Sequence, residues 1–489
     1  MDMTPTSAPD AITPNPGLTV AVDSLMQRAT VAAGIYSQYD QAQIDSIVEA
    51  VYRAGFDARV SLARMAARET GIGRWQDKVI KNVVATQFVY EDIRDLKTVG
   101  VIREDRELGL VEIAQPVGPI LAVIPVTNPT STILFKVLSA LKTRNPIIIS
   151  PARRALHCSV ATARLCYQAA LAAGAPEDCI QWLESVSREQ TQALMRHPGL
   201  ALILATGGEG LVHTAYSSGT PTLGVGPGNV PVFIDRSADL DFAIGEICTS
   251  KLFDYGTICA SEQAIVVEQD LGAAVLEAFR RRGGHVLSTA ERQQLESTLF
   301  DADGHMDPEI VGHPAEAIAR RAGLTVPDGT TLLLAELDGV GDAYPLSREI
   351  LAPILAIYAV QGFQNAISTC LDLNFYGGIG HTVSLFCNDE ARIREFSALM
   401  TAGRIVVNMP SAQGAVGRIY NSLSPSFTLG CGTGGKNITT DNVTARHLIN
   451  IQRIARRREN RRFFRFNPDL YLDEELDSLA IEHAYNRNC

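Results

Sequence analysis

The sequence predicts an α/β protein of two doubly wound domains, each a parallel sheet with helices on both faces, plus a separate β-hairpin. Three observations carry this. Short, continuous apolar runs alternate with helical stretches along two long segments, the pattern of strands buried on both faces in βαβ units. The alternation stops and restarts near Asp235, which divides it between two domains. A charged segment, residues 98–114, reads instead as two strands around a turn.

Each element follows in order. After a polar tail, Ile44, Ile47, Val48 and Val51 repeat at helical spacing, and "TGIG" (70–73) closes that helical region. "TVGVIREDRELGLVEIA" (98–114) is the hairpin. "ILAVIPV" is a buried strand, "STILFKVLSALKTR" a helix, "PIIIS" a strand and "SVATARLCYQAALAAG" a helix. "CIQWLE" and "LALILAT" are further strands, the second leading into "GGEGLVHTAYSSG". The second alternation runs from Asp239 to about Asn408 through "EQAIVVE", "PILAIYAV", "TVSLFCN" and "GRIVVN". At the C-terminus a basic run, "RIARRRENRRFFRF" (453–466), precedes an acidic one, "DLYLDEELDSLAIE" (469–482). The basic run is expected to be a solvated, subunit-contacting helix whose charge the acidic stretch answers; the alternative is a patch for an anionic surface.

Composition narrows the function classes. With 489 residues, 46% apolar and 20% charged, the chain has the make-up of a multidomain globular protein. A formal net charge of −11 argues against a nucleic-acid partner, which calls for a basic face. No apolar run approaches the 18 residues that span a membrane, and the N-terminal tail has neither the basic nor the apolar region of a signal peptide. Nine cysteines without a CxxC pair are expected to be reduced thiols in the cytoplasm, and no metal site is expected.

Three stretches carry candidate chemistry. Cys259 sits in a turn-rich loop, "FDYGTICASEQAIVVE" (253–268), ahead of a strand; it is either a nucleophile or one more small apolar residue. "ATGGEGLV" (205–212) joins a buried strand to a helix. Its Thr206, Gly207, Gly208 and Gly210 either admit a pyrophosphate at the helix N-terminus or only make a tight connection. At the end of "PIIIS", Ser150, Pro151, Arg153 and Arg154 occupy a strand C-terminus, where ligands bind in open α/β sheets. An arginine there either pairs with the 2′-phosphate of NADP or is a surface residue.

Taken together, "IPVTNPTSTILFK", "TGGEGLV", "GVGPGNVPV", "FDYGTICASEQ", "EILAPILA" and "GIGHT" resemble, in order and spacing, the aldehyde dehydrogenase superfamily. Within it the chain looks like the CoA-acylating branch, including the aldehyde dehydrogenase half of the bifunctional aldehyde-alcohol dehydrogenases. The resemblance spans roughly residues 20–460. It implies a Rossmann-like dinucleotide-binding domain (17–97 and 117–235) and a catalytic domain (236–432). It also implies oligomerisation elements (98–116 and 433–460), with 461–489 left as a charged tail. NAD or NADP would be the cofactor and coenzyme A the co-substrate.

The resemblance also assigns roles. Cys259 matches the nucleophile, and thiolate addition to an aldehyde gives a thiohemiacetal. Asn128, which also fits an ordinary helix N-cap, matches the amide that stabilises the oxyanion with the Cys259 backbone N–H. Glu349 matches the glutamate that hydrogen-bonds the nicotinamide ribose. Hydrolytic members carry a glutamate that activates water where Val225 stands here. Without it the thioester should wait for the CoA thiol. His381 is expected to deprotonate CoA or Cys259, or else to be a satisfied histidine beside a strand.

Arg418 and Lys436, in the segment resembling the closure of the acyl pocket, suit an anionic aldehyde; the specific expectation is sulfoacetaldehyde giving sulfoacetyl-CoA, against plain acetaldehyde. The hairpin and the segment after "GTGGKNIT" match subunit-bridging strands, so a homodimer or homotetramer is expected. Rival readings are a hydrolytic aldehyde dehydrogenase, a cofactor-free cysteine hydrolase or acyltransferase, and a structural protein that kept the fold without the chemistry.

Overall fold

The structure, a computed structural model, describes residues 16–301 and 304–487. The N-terminal tail read as lacking a signal peptide, and Cys489, lie outside the described residues. The eight described cysteines are free. The chain divides into two compact units: one holds the described residues up to Leu96 and Pro116–Ile449, the other Lys97–Gln115 and the described residues from Asn450.

The second unit carries the hairpin, β1 (Gly100–Asp105) and β2 (Leu110–Pro116), paired antiparallel with Gly100 opposite Ala114. The larger unit begins with helices. Gln41–Asp57 buries Ile44, Ile47, Val48 and Val51 and starts with a reciprocal capping box between Asp40 and Gln43. Helix Arg59–Thr70 ends on Gly71 in the left-handed conformation, φ 68, as "TGIG" predicts. The helical region does not close there. A further helix, Trp75–Val83, follows and buries Lys78, Lys81 and Asn82, a polar face that apolar periodicity does not reveal.

The first parallel sheet has five strands: β3 (Ile120–Val123), β4 (Ile147–Ser150), β5 (Ile180–Trp182), β6 (Leu202–Thr206) and β7 (Thr222–Val225). Their spatial order is β5-β4-β3-β6-β7. The chain therefore winds one way from β3 and the other way from β6, which opens a crevice at the strand C-termini between these two. The helix Pro129–Lys142 is buried along its whole length, and its two lysines are satisfied inside the protein, Lys136 by the Val123 and Leu204 carbonyls and Lys142 by Asp45 and the Arg94 carbonyl.

The second parallel sheet has seven strands: β8 (Val230–Ile234), β9 (Glu262–Glu268), β10 (Gly284–Val286), β11 (Leu332–Glu336), β12 (Ile354–Val360), β13 (Gly380–Phe386) and β14 (Ala402–Val407). Their order is β10-β11-β12-β9-β8-β13-β14. Apolar clusters on both faces, one around Phe233, Val266 and Phe396 and one around Ile247, Val267 and Phe279, account for its continuous apolar strands.

Two C-terminal expectations change. The segment 433–460 is divided, since residues up to Ile449 fold with the larger unit and only the remainder joins the hairpin. There β15 (Ile449–Ala455) completes a three-stranded sheet of order β1-β2-β15. The basic run is accordingly a strand followed by a five-residue helix, Arg461–Arg465, because Ile449, Ile451 and Arg453 alternate at strand period. Among the described residues no ion pair joins this run to the acidic stretch. Arg453 pairs with Glu112 at 3.1 Å, and Phe466 meets Tyr471 and Tyr485 through ring contacts. No described helix is long and apolar enough to cross a membrane.

Candidate active site

A cavity of about 900 Å³ opens at the crevice predicted by the strand order of the five-stranded sheet. It is lined at the strand ends by Ser150, Pro151 and Arg153 after β4, Thr206, Gly207, Gly208 and Gly210 after β6, and Val225 on β7. Asn128, Cys259 and Glu349 line the same cavity. The cavity thus joins the C-terminal ends of one sheet to segments that precede strands of the other.

The Gly-rich turn suits a pyrophosphate. Gly208 precedes helix Glu209–Tyr216 without any side-chain cap, so the first N–H groups of that helix are free of a side-chain acceptor. A Cβ at Gly208 or Gly210 would meet nothing within 4 Å, which leaves open space against the backbone. Arg153 lines the same cavity. Arg154 does not: it pairs with Glu309 at 2.9 Å.

Cys259 is partly exposed, and His381, wholly buried, stands behind it with Nε2 3.2 Å from Sγ. The other imidazole nitrogen, Nδ1, contacts Thr382 Oγ1 at 2.9 Å, which orients the ring. Cys259 lines the cavity and is otherwise packed within the protein. That burial pushes its thiol up to about 12, with Glu349 and Cys431 adding to the rise and Arg404 opposing it. Burial, with Arg404 adding, pulls His381 down to about 3. The resting pair is therefore a neutral thiol beside a neutral imidazole, and the thiol proton has an acceptor in place.

The backbone of "GVGPGN" is threaded between these groups. A Cβ at Gly228 would lie 2.2 Å from the Cys259 carbonyl oxygen and 3.0 Å from the His381 ring, so only glycine fits. Gly228 N–H donates to Glu349 Oε1 at 2.9 Å. Burial raises Glu349 to about 7, with that N–H and the Lys251 ammonium pulling it back.

Asn128 precedes the buried helix Pro129–Lys142, but its side chain makes no capping bond. Its Oδ1 instead accepts from Lys81 Nζ at 2.5 Å, and its Nδ2 donates to Thr127 Oγ1 at 3.1 Å. Lys81 in turn pairs with Asp254 and donates to Thr257 Oγ1 at 2.9 Å, and Lys78 pairs with Asp254 at 2.9 Å. Asp254 and Tyr255 hold left-handed conformations, φ 49 and 52, just ahead of the cysteine.

Arg418 and Lys436 are not brought to the site. Both are exposed and neither lines the cavity; each sits at a left-handed bend, φ 69 and 62, in the segment expected to close it. The cations that do approach were not anticipated. Lys81 reaches Asn128. Arg404, 5% exposed, donates to the carbonyls of Gly430 and Thr440 and lies close enough to Cys259 and His381 to shift both. An arginine on a strand at odd register with its apolar neighbours, in "GRIVVN", was the available signal for it. Among the described residues no cluster of side chains suited to a metal ion occurs.

The sequence profile of the aldehyde dehydrogenase family matches residues 11–291. The chain is 43% identical over 467 residues to the bifunctional aldehyde-alcohol dehydrogenase AdhE of Escherichia coli strain K12, covering 95% of this chain and 52% of that protein; it thus spans about half the length of such relatives. It is 36% identical over 438 residues to the sulfoacetaldehyde dehydrogenase (acylating) of Bilophila wadsworthia, covering 88% of this chain and 94% of that one. The crystal structure of an acetylating aldehyde dehydrogenase from Geobacillus thermoglucosidasius superposes with a TM-score of 0.88 at 44% identity, covering 91% of this chain and 98% of the other. With its motifs gathered in one cavity and its fold and sequence matched over most of its length, the chain belongs to the aldehyde dehydrogenase family.

Proposed function

We propose that this chain oxidises a small aldehyde to an acyl-CoA, with NAD or NADP as oxidant and Cys259 as nucleophile. The observation that carries the reading is Val225. It lines the same cavity as Cys259, is 2% exposed, and is the position that the motif resemblance matches to the water-activating glutamate of hydrolytic members. An isopropyl group accepts no proton, so a thioester formed on Cys259 persists until a stronger nucleophile than water arrives.

In this mechanism Cys259 Sγ adds to the aldehyde carbon while its proton passes to His381 Nε2. The negative oxygen of the thiohemiacetal is held by Asn128 Nδ2 and the Cys259 backbone N–H, donors of a kind worth about 2.7–4 kcal/mol each. When bound along Gly207, Gly208 and Glu349, a nicotinamide cofactor supplies the hydride acceptor that turns this adduct into the Cys259 thioester. Once the first proton has passed from His381 to solvent, the neutral imidazole takes the proton of the incoming CoA thiol, whose sulfur attacks the thioester carbon. Sγ leaves as the thiolate and regains its proton from His381. Run backwards, the same groups reduce an acyl-CoA.

Acetaldehyde is the substrate this reading favours, in keeping with the acetylating enzyme of the same fold at 44% identity. A second reading, an anionic aldehyde such as sulfoacetaldehyde, rests on Arg404 rather than on Arg418 or Lys436. Arg404 Nη1 is buried and has no hydrogen-bond partner among the described residues, a state that an acyl-chain sulfonate would relieve. Arg153 at the strand end supports acceptance of NADP. The three-stranded sheet, whose edge strand β1 is largely exposed, supports a homodimer or homotetramer assembled through that edge.

The test is absorbance at the reduced-nicotinamide band for each pairing of acetaldehyde or sulfoacetaldehyde with NAD or NADP, with and without CoA. Turnover sustained only with CoA is expected. Equal turnover without CoA means that water reaches the thioester despite Val225, and the acylating reading is then wrong.

A further inference from the structure

We propose that Lys81 is a positioning residue for the reaction: locked by Asp254, it fixes which way the Asn128 amide faces and ties that amide to the loop carrying Cys259. The inference rests on the reading of Asn128 as oxyanion donor.

The geometry is unusually complete for a buried lysine. Lys81 is 3% exposed, and its three ammonium protons have three acceptors: Asn128 Oδ1 at 2.5 Å, Thr257 Oγ1 at 2.9 Å and Asp254 Oδ2. An ammonium has no acceptor, so only the oxygen of the Asn128 amide can face it. The NH₂ group is thereby turned the other way. One of its hydrogens goes to Thr127 Oγ1, and the other is left for the cavity that Asn128 lines.

Asp254 and Thr257 lie five and two residues before the nucleophile, so the same ammonium spans the oxyanion donor and the nucleophile loop. Lys78 repeats the link one helical turn earlier, joining Asp254 to the Thr127 carbonyl at 3.0 Å. The Arg74 backbone N–H donates to Asp254 Oδ1 at 2.7 Å, and the Asp254 N–H donates to Asp77 Oδ2 at 2.8 Å. The left-handed Asp254 is thus pinned through both its carboxylate and its backbone. Burial pulls the Lys81 ammonium down to about 8, with the Asp254 carboxylate opposing that fall, as befits a charge held by this set of partners.

A charge-assisted bond to Oδ1 also draws electron density from the amide and makes its N–H a stronger donor. Without Lys81 the amide is free to flip and to present oxygen to an oxyanion.

The experiment is a double-mutant cycle in the full chain, read as kcat and aldehyde KM. Asn128→Ala is expected to lower kcat roughly 10²–10³-fold, the usual loss of one oxyanion donor. Lys81→Met should lower kcat by about tenfold or more with KM nearly unchanged, and the double variant should be no slower than Asn128→Ala alone. Iodoacetamide should label Cys259 in Lys81→Met at the wild-type rate, since alkylation forms no oxyanion. Thr257→Val removes one acceptor and leaves both charges paired; it should show a smaller loss in the same non-additive pattern, and it replaces Lys81→Met if that variant does not fold. Losses that multiply in the double variant, or a wild-type kcat in Lys81→Met, overturn the proposal. A wild-type kcat in Asn128→Ala alone would instead remove the oxyanion reading on which it rests.

Discussion

Replacing Gly228 with alanine tests the threading of "GVGPGN" between Cys259 and His381, the proposed nucleophile and base. The added Cβ would sit 2.2 Å from the Cys259 carbonyl oxygen, whereas real Cβ contacts essentially never fall under 3.0 Å, so the two backbones must part by at least about 0.8 Å. Retreat in the opposite direction is blocked, because the His381 ring is already at 3.0 Å. A displacement of about 1 Å at a reacting centre costs roughly 10²-fold in rate, or about 2.7 kcal/mol of barrier. The same shift loosens the Gly228 N–H bond to Glu349. Gly226, two residues earlier in the same motif, is the control: a Cβ there meets nothing within 4 Å. Steady-state turnover at saturating aldehyde, cofactor and CoA should therefore fall about a hundredfold in Gly228→Ala and stay within about threefold in Gly226→Ala. Thermal unfolding of both variants establishes that the fold is kept. Wild-type kcat in Gly228→Ala with unchanged Tm would refute the reasoning, since the contact would then be absorbed without moving Cys259.

Other outcomes follow from the same geometry. Because burial raises the Cys259 thiol to about 12, its thiolate fraction is small and grows with each unit of pH, so the iodoacetamide rate should climb about tenfold per unit from pH 7 to 10; a plateau above about 8.5 would mean an ordinary, unburied thiol, and a flat profile a pre-formed thiolate. His381→Gln should lower acyl-CoA formation by roughly 10²–10⁴-fold, measured by single-turnover thioester formation and release; retention of full rate would assign the proton to another group. Arg153→Ala should raise KM for NADP more than for NAD in steady-state assays, and an equal rise would remove it from 2′-phosphate recognition. Arg404→Gln should reduce kcat/KM more on sulfoacetaldehyde than on acetaldehyde, while Arg418→Ala, at the surface, changes neither; the reverse pattern would restore the exposed arginine to the substrate site.

Much of the fold was legible because parallel strands buried on both faces leave uninterrupted apolar runs, and Ile147–Ser150 and Ala264–Val267 announce themselves that way. The gathering of Asn128, Cys259, Glu349 and the turn at Gly207 and Gly208 in one cavity followed from motif order, and His381 stands behind the thiol. The helix carrying Lys81 escaped notice for a physical reason. Its buried face is polar, with Lys78, Lys81 and Asn82 satisfied by partners outside the helix, at Arg59, Thr127, Asn128 and Asp254, and hydrophobic periodicity has nothing to register there. Arg418 and Lys436 failed for the opposite reason, since closeness in sequence to a pocket-closing segment says nothing about which way a side chain leaves a left-handed bend. The basic run near residue 453 misled because charge density conceals strand alternation.

Joining the carboxyl ends of one sheet to the leading ends of another has a consequence for synthesis. A ribosome finishes all five strands around the nucleotide crevice by Val225, before Cys259 emerges. It must reach His381 before the thiol gains its neighbour, and Cys431 before Gly380 meets the carbonyl packed against it. A growing chain would thus own the crevice for well over a hundred residues while its cysteine remained an ordinary, unassisted thiol. The contact between the thiol and the imidazole therefore forms late, and a copy that stops short of His381 carries the crevice with an unpartnered thiol at its mouth.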